Sequence, residues 1–142
     1  MSYSDMLDRI HAAISNQSAD LEEKISRLKR AKNKIETEQN TSLEEIKKIR
    51  NPSLGSSWQG SRSETFDESR DEAYNEMQNI ITDDYESYKT RIQSKIVLLE
   101  IEQGALSAAR GLAHTADQLL TKGEEALEEL GSTISDLTRR LF

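Results

Sequence analysis

A chain of 142 residues is long enough for one domain, but with 35% hydrophobic residues, two Phe and one Trp it has little to fill a globular core, so an elongated form is expected. Charged residues make up 32% of the chain and leave a net charge of -7, which disfavours general binding to nucleic acid. The absence of cysteine excludes disulfides, thiolate catalysis and cysteine-ligated metal, and leaves the redox compartment open.

The chain opens Met1-Ser2-Tyr3-Ser4-Asp5, without the basic and then apolar order of a signal peptide. Its longest aliphatic run, Ile96-Val97-Leu98-Leu99, falls far short of the roughly 20 apolar residues of a membrane span. The expectation is a cytoplasmic protein with no stable membrane insertion. Export or a cell-surface place would need a route that reads folded helices or a partner.

In the first arm, residues 4–50, the large apolar residues are Leu7, Ile10, Ile14, Leu21, Ile25, Leu28, Ile35, Leu43, Ile46 and Ile49. Their spacings are built almost entirely from threes, fours and sevens, which puts them in one stripe on a helix. Gln17, Lys32 and Gln39 interrupt the stripe, so a lone helix would be marginal and needs a surface to pack on. Ser4 is an acceptable cap, followed by Asp5 and Asp8 at the positive helix end, and Pro52 predicts a stop near Arg50 by restricting the residue before it.

The turn, residues 51–61, begins Asn51-Pro52-Ser53-Leu54-Gly55-Ser56-Ser57, a Pro/Gly/Ser-rich stretch where the chain should reverse. Trp58-Gln59-Gly60 follows. A tryptophan is seldom spent on a loop without a pocket to fill, and glycine permits backbone angles that other residues resist. Ser61-Arg62-Ser63-Glu64 fits a capping box at the start of the next helix.

The second arm, residues 62–103, and a C-terminal helical segment, 104–142, carry Phe66, Ala73, Met77, Ile80, Tyr88, Ile92, Ile96, Leu99, Leu106, Ala113, Leu120, Leu127, Leu130, Ile134, Leu137 and Leu141 at similar spacings. Tyr74, Tyr85 and Tyr88, near Phe66 and Met77, read as residues of the packing seam. A glycine costs about 1 kcal/mol in a helix interior. The sequence therefore predicts a break between Gly104 and Gly111 and a lesser one near Gly123 and Gly131. The fold class is all-α: an elongated antiparallel helical hairpin with a Trp-x-Gly turn and an additional C-terminal helix or helices, in a single domain.

Charge supports antiparallel arms. Between Lys24 and Lys34 there are six basic residues and no acid, and a reversal near residue 56 would set them beside 78–88, with Asp83, Asp84 and Glu86. Exposed pairs contribute only ~0–1 kcal/mol each, so they would fix register more than stability.

No catalytic constellation is found. His11 and His114 lie on different arms without cysteine, and His114 has only Asp117 at helical neighbour spacing, so a triad or zinc site lacks its other members. Glu64, Asp67, Glu68, Asp71 and Glu72 lack the alternating ligands and central glycine of a calcium loop and suit a helix start. The isolated glycines form no phosphate loop. No cofactor, metal or enzymatic activity is expected.

An acidic, cysteine-free chain of two helices joined by Trp58-Gln59-Gly60 resembles the Trp-x-Gly proteins of type VII (Esx) secretion, which are usually shorter. The order of features is more similar to the YwqH-like proteins encoded beside LXG polymorphic toxins in Gram-positive bacteria. Those features are Tyr3-x-x-Met6-Leu7, the Lys-rich Arg27-Leu28-Lys29-Arg30-Ala31-Lys32, Leu54-Gly55 before the turn, and a late Lys122-Gly123-Glu124-Glu125 followed by Gly131-Ser132-Thr133-Ile134-Ser135. They span nearly the whole chain.

The resemblance implies a non-enzymatic, chaperone-like partner or targeting factor that binds the N-terminal helical domain of an LXG toxin and helps it engage the secretion machine. It also implies contact with the type VII secretion ATPase, directly or through the toxin, and allows a second small helical protein from the same locus or a homodimer. Esx-type substrates commonly carry Tyr-x-x-x-Asp/Glu after the hairpin. Here Tyr3, Tyr74, Tyr85 and Tyr88 are followed four residues later by Leu7, Gln78, Lys89 and Ile92, so the signal comes either from the partner or from the acidic tail Glu124 to Phe142.

Arm two shows more apolar positions than arm one can cover, and uncovered apolar stripes mark partner sites. The expected partner-binding face is Leu106, Leu120, Leu127, Leu130, Ile134, Leu137 and Leu141, with the turn motif Trp58 and Gly60. Two readings of other classes stand beside it. One is a structural homodimeric coiled coil with no secretion role; the other is a nucleic-acid or membrane-surface binder using Lys24 to Lys34.

Overall fold

The computed structural model describes residues 2–50 and 60–142, and among these the regular elements are all helical. Helix α1 spans Tyr3–Ile46 and passes into a tight 3-10 turn, Lys47–Arg50. Helix α2 spans Ser61–Lys122, a second 3-10 turn spans Gly123–Ala126, and helix α3 spans Leu127–Leu141. The all-α class, with two long helices and an additional C-terminal one, is as the sequence predicts. Trp58 and the rest of the turn up to Gln59 lie outside the described residues.

The helix starts differ in detail from the sequence expectation. Ser2, rather than Ser4, caps α1: its Oγ accepts the Asp5 N–H at 3.1 Å and its carbonyl accepts the Met6 N–H at 3.0 Å. At α2 the Glu64 N–H donates to the Gly60 carbonyl at 3.2 Å, so Gly60 occupies the cap position one residue before Ser61. Gly60 has φ 115°, a backbone angle that a side chain would strain.

Contacts divide the chain into two compact units, Met1–Arg27 with Ile96–Phe142 and Leu28–Lys95. The first unit holds three helical segments around one core. Leu7, Ile10 and Ile14 of α1, Ala109, Ala113, Ala116 and Leu119 of α2, Ala126, and Leu130, Ile134 and Leu137 of α3 form it. The alanines carry almost no bulk, so the helix axes can approach closely and the larger residues of α1 and α3 fill the space above them. Helix α3 presents its leucines and Ile134 on one side and Glu128, Glu129, Arg139 and Arg140 elsewhere, with the two arginines suited to the negative helix end.

The predicted break between Gly104 and Gly111 is corrected by this unit: α2 runs unbroken through both glycines. Burial of Leu106, Ala109, Ala113 and Ala116 on the same stretch outweighs a penalty of about 1 kcal/mol per glycine. The lesser break expected near Gly123 and Gly131 falls at Gly123, which takes φ 79° and turns the chain toward α3, while α3 runs through Gly131. A Cβ at Gly104 or Gly111 would meet nothing within 4 Å. Gly104→Ala and Gly111→Ala are each expected to raise stability by up to about 1 kcal/mol. Gly123→Ala is expected to lower it by about 1–2 kcal/mol, because the left-handed angle is costly for a residue with a Cβ. Thermal melts of the three variants check both signs.

The second unit is a two-helix pair. Its buried side chains are Gln39, Ile46 and Ile81, supported by half-buried Leu28, Ile35, Leu43, Tyr74, Tyr85 and Ile92. Arg70 Nε donates to the Ile49 carbonyl at 2.7 Å, Gln39 Nε2 to the Ile81 carbonyl at 3.3 Å and to Glu86 at 3.2 Å, and Lys32 Nζ to Gln93 at 2.9 Å. These bonds run antiparallel and correct the predicted register. Lys32 lies against Gln93, and Glu86, the acid among 83–86 that reaches α1, hydrogen-bonds Gln39 and feels only Lys32 of the basic cluster. In each pair the α2 residue lies farther along the chain than a reversal near residue 56 would place it.

The polar interruptions of the α1 stripe have a common explanation. Gln39 and Lys32 reach across to α2, and Gln17 Nε2 donates to the Leu141 carbonyl of α3 at 3.2 Å. Each is a long side chain that meets a partner on the facing helix, and Gln39, the buried one of the three, is satisfied there as a buried polar group requires. Such bonds favour one register over slipped alternatives.

A candidate partner-binding face

The predicted partner face is largely interior. Leu130 and Leu137 are 0% exposed, Ile134 and Leu106 are buried, and Leu141 packs half-buried against the core. Only Leu120 and Leu127 stay exposed, and Trp58 lies outside the described residues. The premise that this stripe needs another chain is therefore corrected: α3 turns back and buries it against the start of α1 and the end of α2. The two-arm comparison missed this because a stripe states that it must be covered and does not state by what.

Besides these, most of the exposed large hydrophobics lie on α2, with Tyr3 at the start of α1 and Phe142 after α3. In the second unit Phe66, Met77, Ile80 and Tyr88 are exposed, Ile80 at 56%. This corrects the expectation that Phe66, Met77 and Tyr88 share a packing seam with Tyr74 and Tyr85. At a helical pitch the two tyrosines that do pack, with Ile81 and Ile92, are rotated away from Phe66, Met77 and Ile80. Both exposed rings carry a neighbouring guanidinium, Arg70 at 5.3 Å from the Phe66 centroid and Arg91 at 6.0 Å from that of Tyr88. Glu86, bordering the helix pair, takes hydrogen bonds from Lys89 and from Gln39, which hold its carboxyl below the usual carboxylate range.

In the first unit Val97, Leu98 and Ile101 are exposed. Beside the C-terminal end of α3 lies a groove of about 450 Å³, floored by Leu21, Ala105, Leu106 and Leu141. The predicted contact set omits Ala105, Ala109 and Ala116, although their spacing with Ala113 is helical. Small residues carry weak hydropathy, so a stripe of them is hard to see in sequence.

Among the described residues the two histidines have separate partners. His11 Nε2 sits 2.9 and 3.1 Å from the two Asp117 carboxylate oxygens, joining α1 to α2, so Asp117 serves His11 and not His114. Among the described residues no group of three or more His, Cys, Asp or Glu is placed to hold a metal ion, and no helix is long and apolar enough to cross a membrane. In the basic cluster Lys24 pairs with Asp20 at 3.0 Å, Arg27 with Glu23 at 2.6 Å and Lys32 with Gln93, which occupies half of it.

The described geometry is all helical, and comparison with known proteins identifies relatives of the chain. The family model described as YwqH-like matches residues 5–123, from the first turn of α1 to the end of α2. The chain belongs to the YwqH-like family. It is 40% identical over 137 residues to Protein YwqH of Bacillus subtilis (strain 168), covering 96% of this chain and 98% of that one. That coverage carries most of α3 into the likeness, so the core-forming third helix is inside the shared region of these two YwqH-like proteins. No solved structure matches the chain.

Proposed function

We propose that this YwqH-like protein is a non-enzymatic helical partner, a targeting factor or chaperone, for an LXG toxin exported by type VII secretion. In this reading it binds the toxin's N-terminal helical domain. The observation that carries the reading is that α2 keeps Met77, Ile80, Leu98 and Ile101 in water after the chain's own helices have packed. Large apolar side chains grouped on exposed helix faces favour association with another helix, which buries them ridge against groove. Family membership supports the reading because the YwqH-like resemblance implies toxin loci as the setting.

Coexpression with the N-terminal helical domain of the LXG toxin from the same locus tests it. The expected result is a stable complex that survives gel filtration and elevated salt, since apolar burial is little screened. Separate elution of the two proteins at micromolar concentration would overturn the proposal. Binding that appears only at low salt would point instead to the basic cluster and a polyanion.

A further inference from the structure

We infer that the exposed side of α2 in the second unit is a dimer surface, covered by the same stretch of a second copy running antiparallel about a two-fold axis at Met77. The inference goes beyond toxin binding and does not depend on it. Phe66, Met77 and Tyr88 are all exposed, and they fall 11 residues apart. Eleven residues complete about three turns, so the three side chains leave the helix within about 20° of one direction. Ile80, also exposed, widens the stripe on the side away from buried Ile81.

The order of residues along this line selects the occupant. Arg70 stands seven residues before Met77 and Asp84 seven after it, again within about 20° of the same direction. A two-fold axis at Met77 therefore sets Phe66 against Tyr88 of the second copy, Arg70 against Asp84 of the second copy, and the two Met77 side chains against each other. Aromatic meets aromatic, and cation meets carboxylate. Ala73 leaves room for Ile80 of the second copy on the flank. A parallel pair in register would instead bring Arg70 to Arg70 and Asp84 to Asp84. Charge thus sets the direction of pairing.

Both charges are placed for this. Arg70 Nε donates to the Ile49 carbonyl at 2.7 Å, its guanidinium lies 5.3 Å from the Phe66 centroid, and its ion pair with Asp67 is long, at 3.9 Å. The cation is fixed beside the ring with its charge loosely balanced. Asp84 is exposed and has no hydrogen bond or ion pair among the described residues. At the far end of the line Arg91 stands 6.0 Å from the Tyr88 centroid, so each aromatic pair in the dimer is flanked by a guanidinium from either copy. The line ends at Tyr88, which leaves Leu98 and Ile101 of the first unit for the toxin.

Sedimentation velocity on the full chain from about 1 to 100 µM tests the inference, and a dimer with a dissociation constant in the micromolar range is expected. Met77→Glu puts two carboxylates on the axis, and Asp84→Arg sets cation against cation. Each is expected to raise that constant about tenfold or more with helix content unchanged. Glu76→Arg, an equal change of charge to one side of the line, is expected to dimerise as the unmodified chain does. The chain has no cysteine, so single-cysteine variants report the direction of pairing. Met77→Cys is expected to give a disulfide-linked dimer on mild oxidation. Tyr88→Cys is not, because antiparallel copies hold their two positions 88 about 33 Å apart. A monomer at every concentration overturns the inference. So does a dimer that Met77→Glu leaves intact, or equal crosslinking at 77 and 88, the mark of a parallel pair. None of these readouts uses the toxin, so loss of the dimer leaves the partner reading standing, and failure of toxin binding leaves the dimer.

Discussion

Leu130→Ala is expected to lower the stability of the first unit by about 2–5 kcal/mol, the range found for leucine truncation in packed cores. Leu130 is 0% exposed and lies in the cluster that joins α1, α2 and α3. The cluster contains four alanines, which have no flexible side chain with which to collapse into the space left behind, so the loss should fall in the upper half of that range. Against a total of about 5–15 kcal/mol for a domain, that is a large fraction. The melting temperature should fall by roughly 5–15 °C. Leu127→Ala is the comparison: at 45% exposure it loses little burial and should change stability by less than about 1 kcal/mol. Both leucines read alike in sequence, so the contrast in melting curves tests the placement of α3. Equal small effects would mean that α3 does not close the core.

Those two leucines also show what sequence can and cannot carry. The α1 stripe was legible because it is a single face: Leu7, Ile10, Ile14, Leu21, Ile25 and Ile46 are all buried. On α2, two apolar faces are superposed in one helix. Ile81, Ile96 and Leu99 are buried while Met77, Ile80 and Leu98, a residue or a turn away, are not. Counting threes and fours merges such faces, since each step of one residue turns the helix by about 100° and the two sets are separated by little more. Sequence spacing therefore exaggerates a single stripe and hides the exposed one.

The glycines and alanines mislead for an energetic reason. Propensity weighs Gly104 and Gly111 as breakers at about 1 kcal/mol each, and packing of the surrounding alanines outweighs them. Gly123 breaks the helix because its backbone adopts φ 79° where the chain must turn, a demand set by the return of α3 and not by propensity. The candidate groove was illegible for the same reason. Ala105 contributes little hydropathy, and its place in the groove lining is set by how the helices pack, which is a tertiary fact.

A chain ending at Lys122 is expected to lose the fold of the first unit, not merely a contact surface. Removing the 3-10 turn and α3 takes away Ala126, Leu130, Ile134 and Leu137, and leaves Leu7, Ile10 and Ile14 facing a ridge of alanines across an open side. Burying each Leu or Ile side chain is worth roughly 1.5–3 kcal/mol, so the three lost from α3 alone approach the whole stability of a small domain. Amide hydrogen exchange should show protection lost in residues 3–27, and the exposed leucines and isoleucines should promote association or dye binding. Persistence of protected, monomeric helix there would mean that α1 and α2 hold without α3. Under the proposed partner reading, loss of binding by such a truncation would report a lost fold and not a lost contact surface.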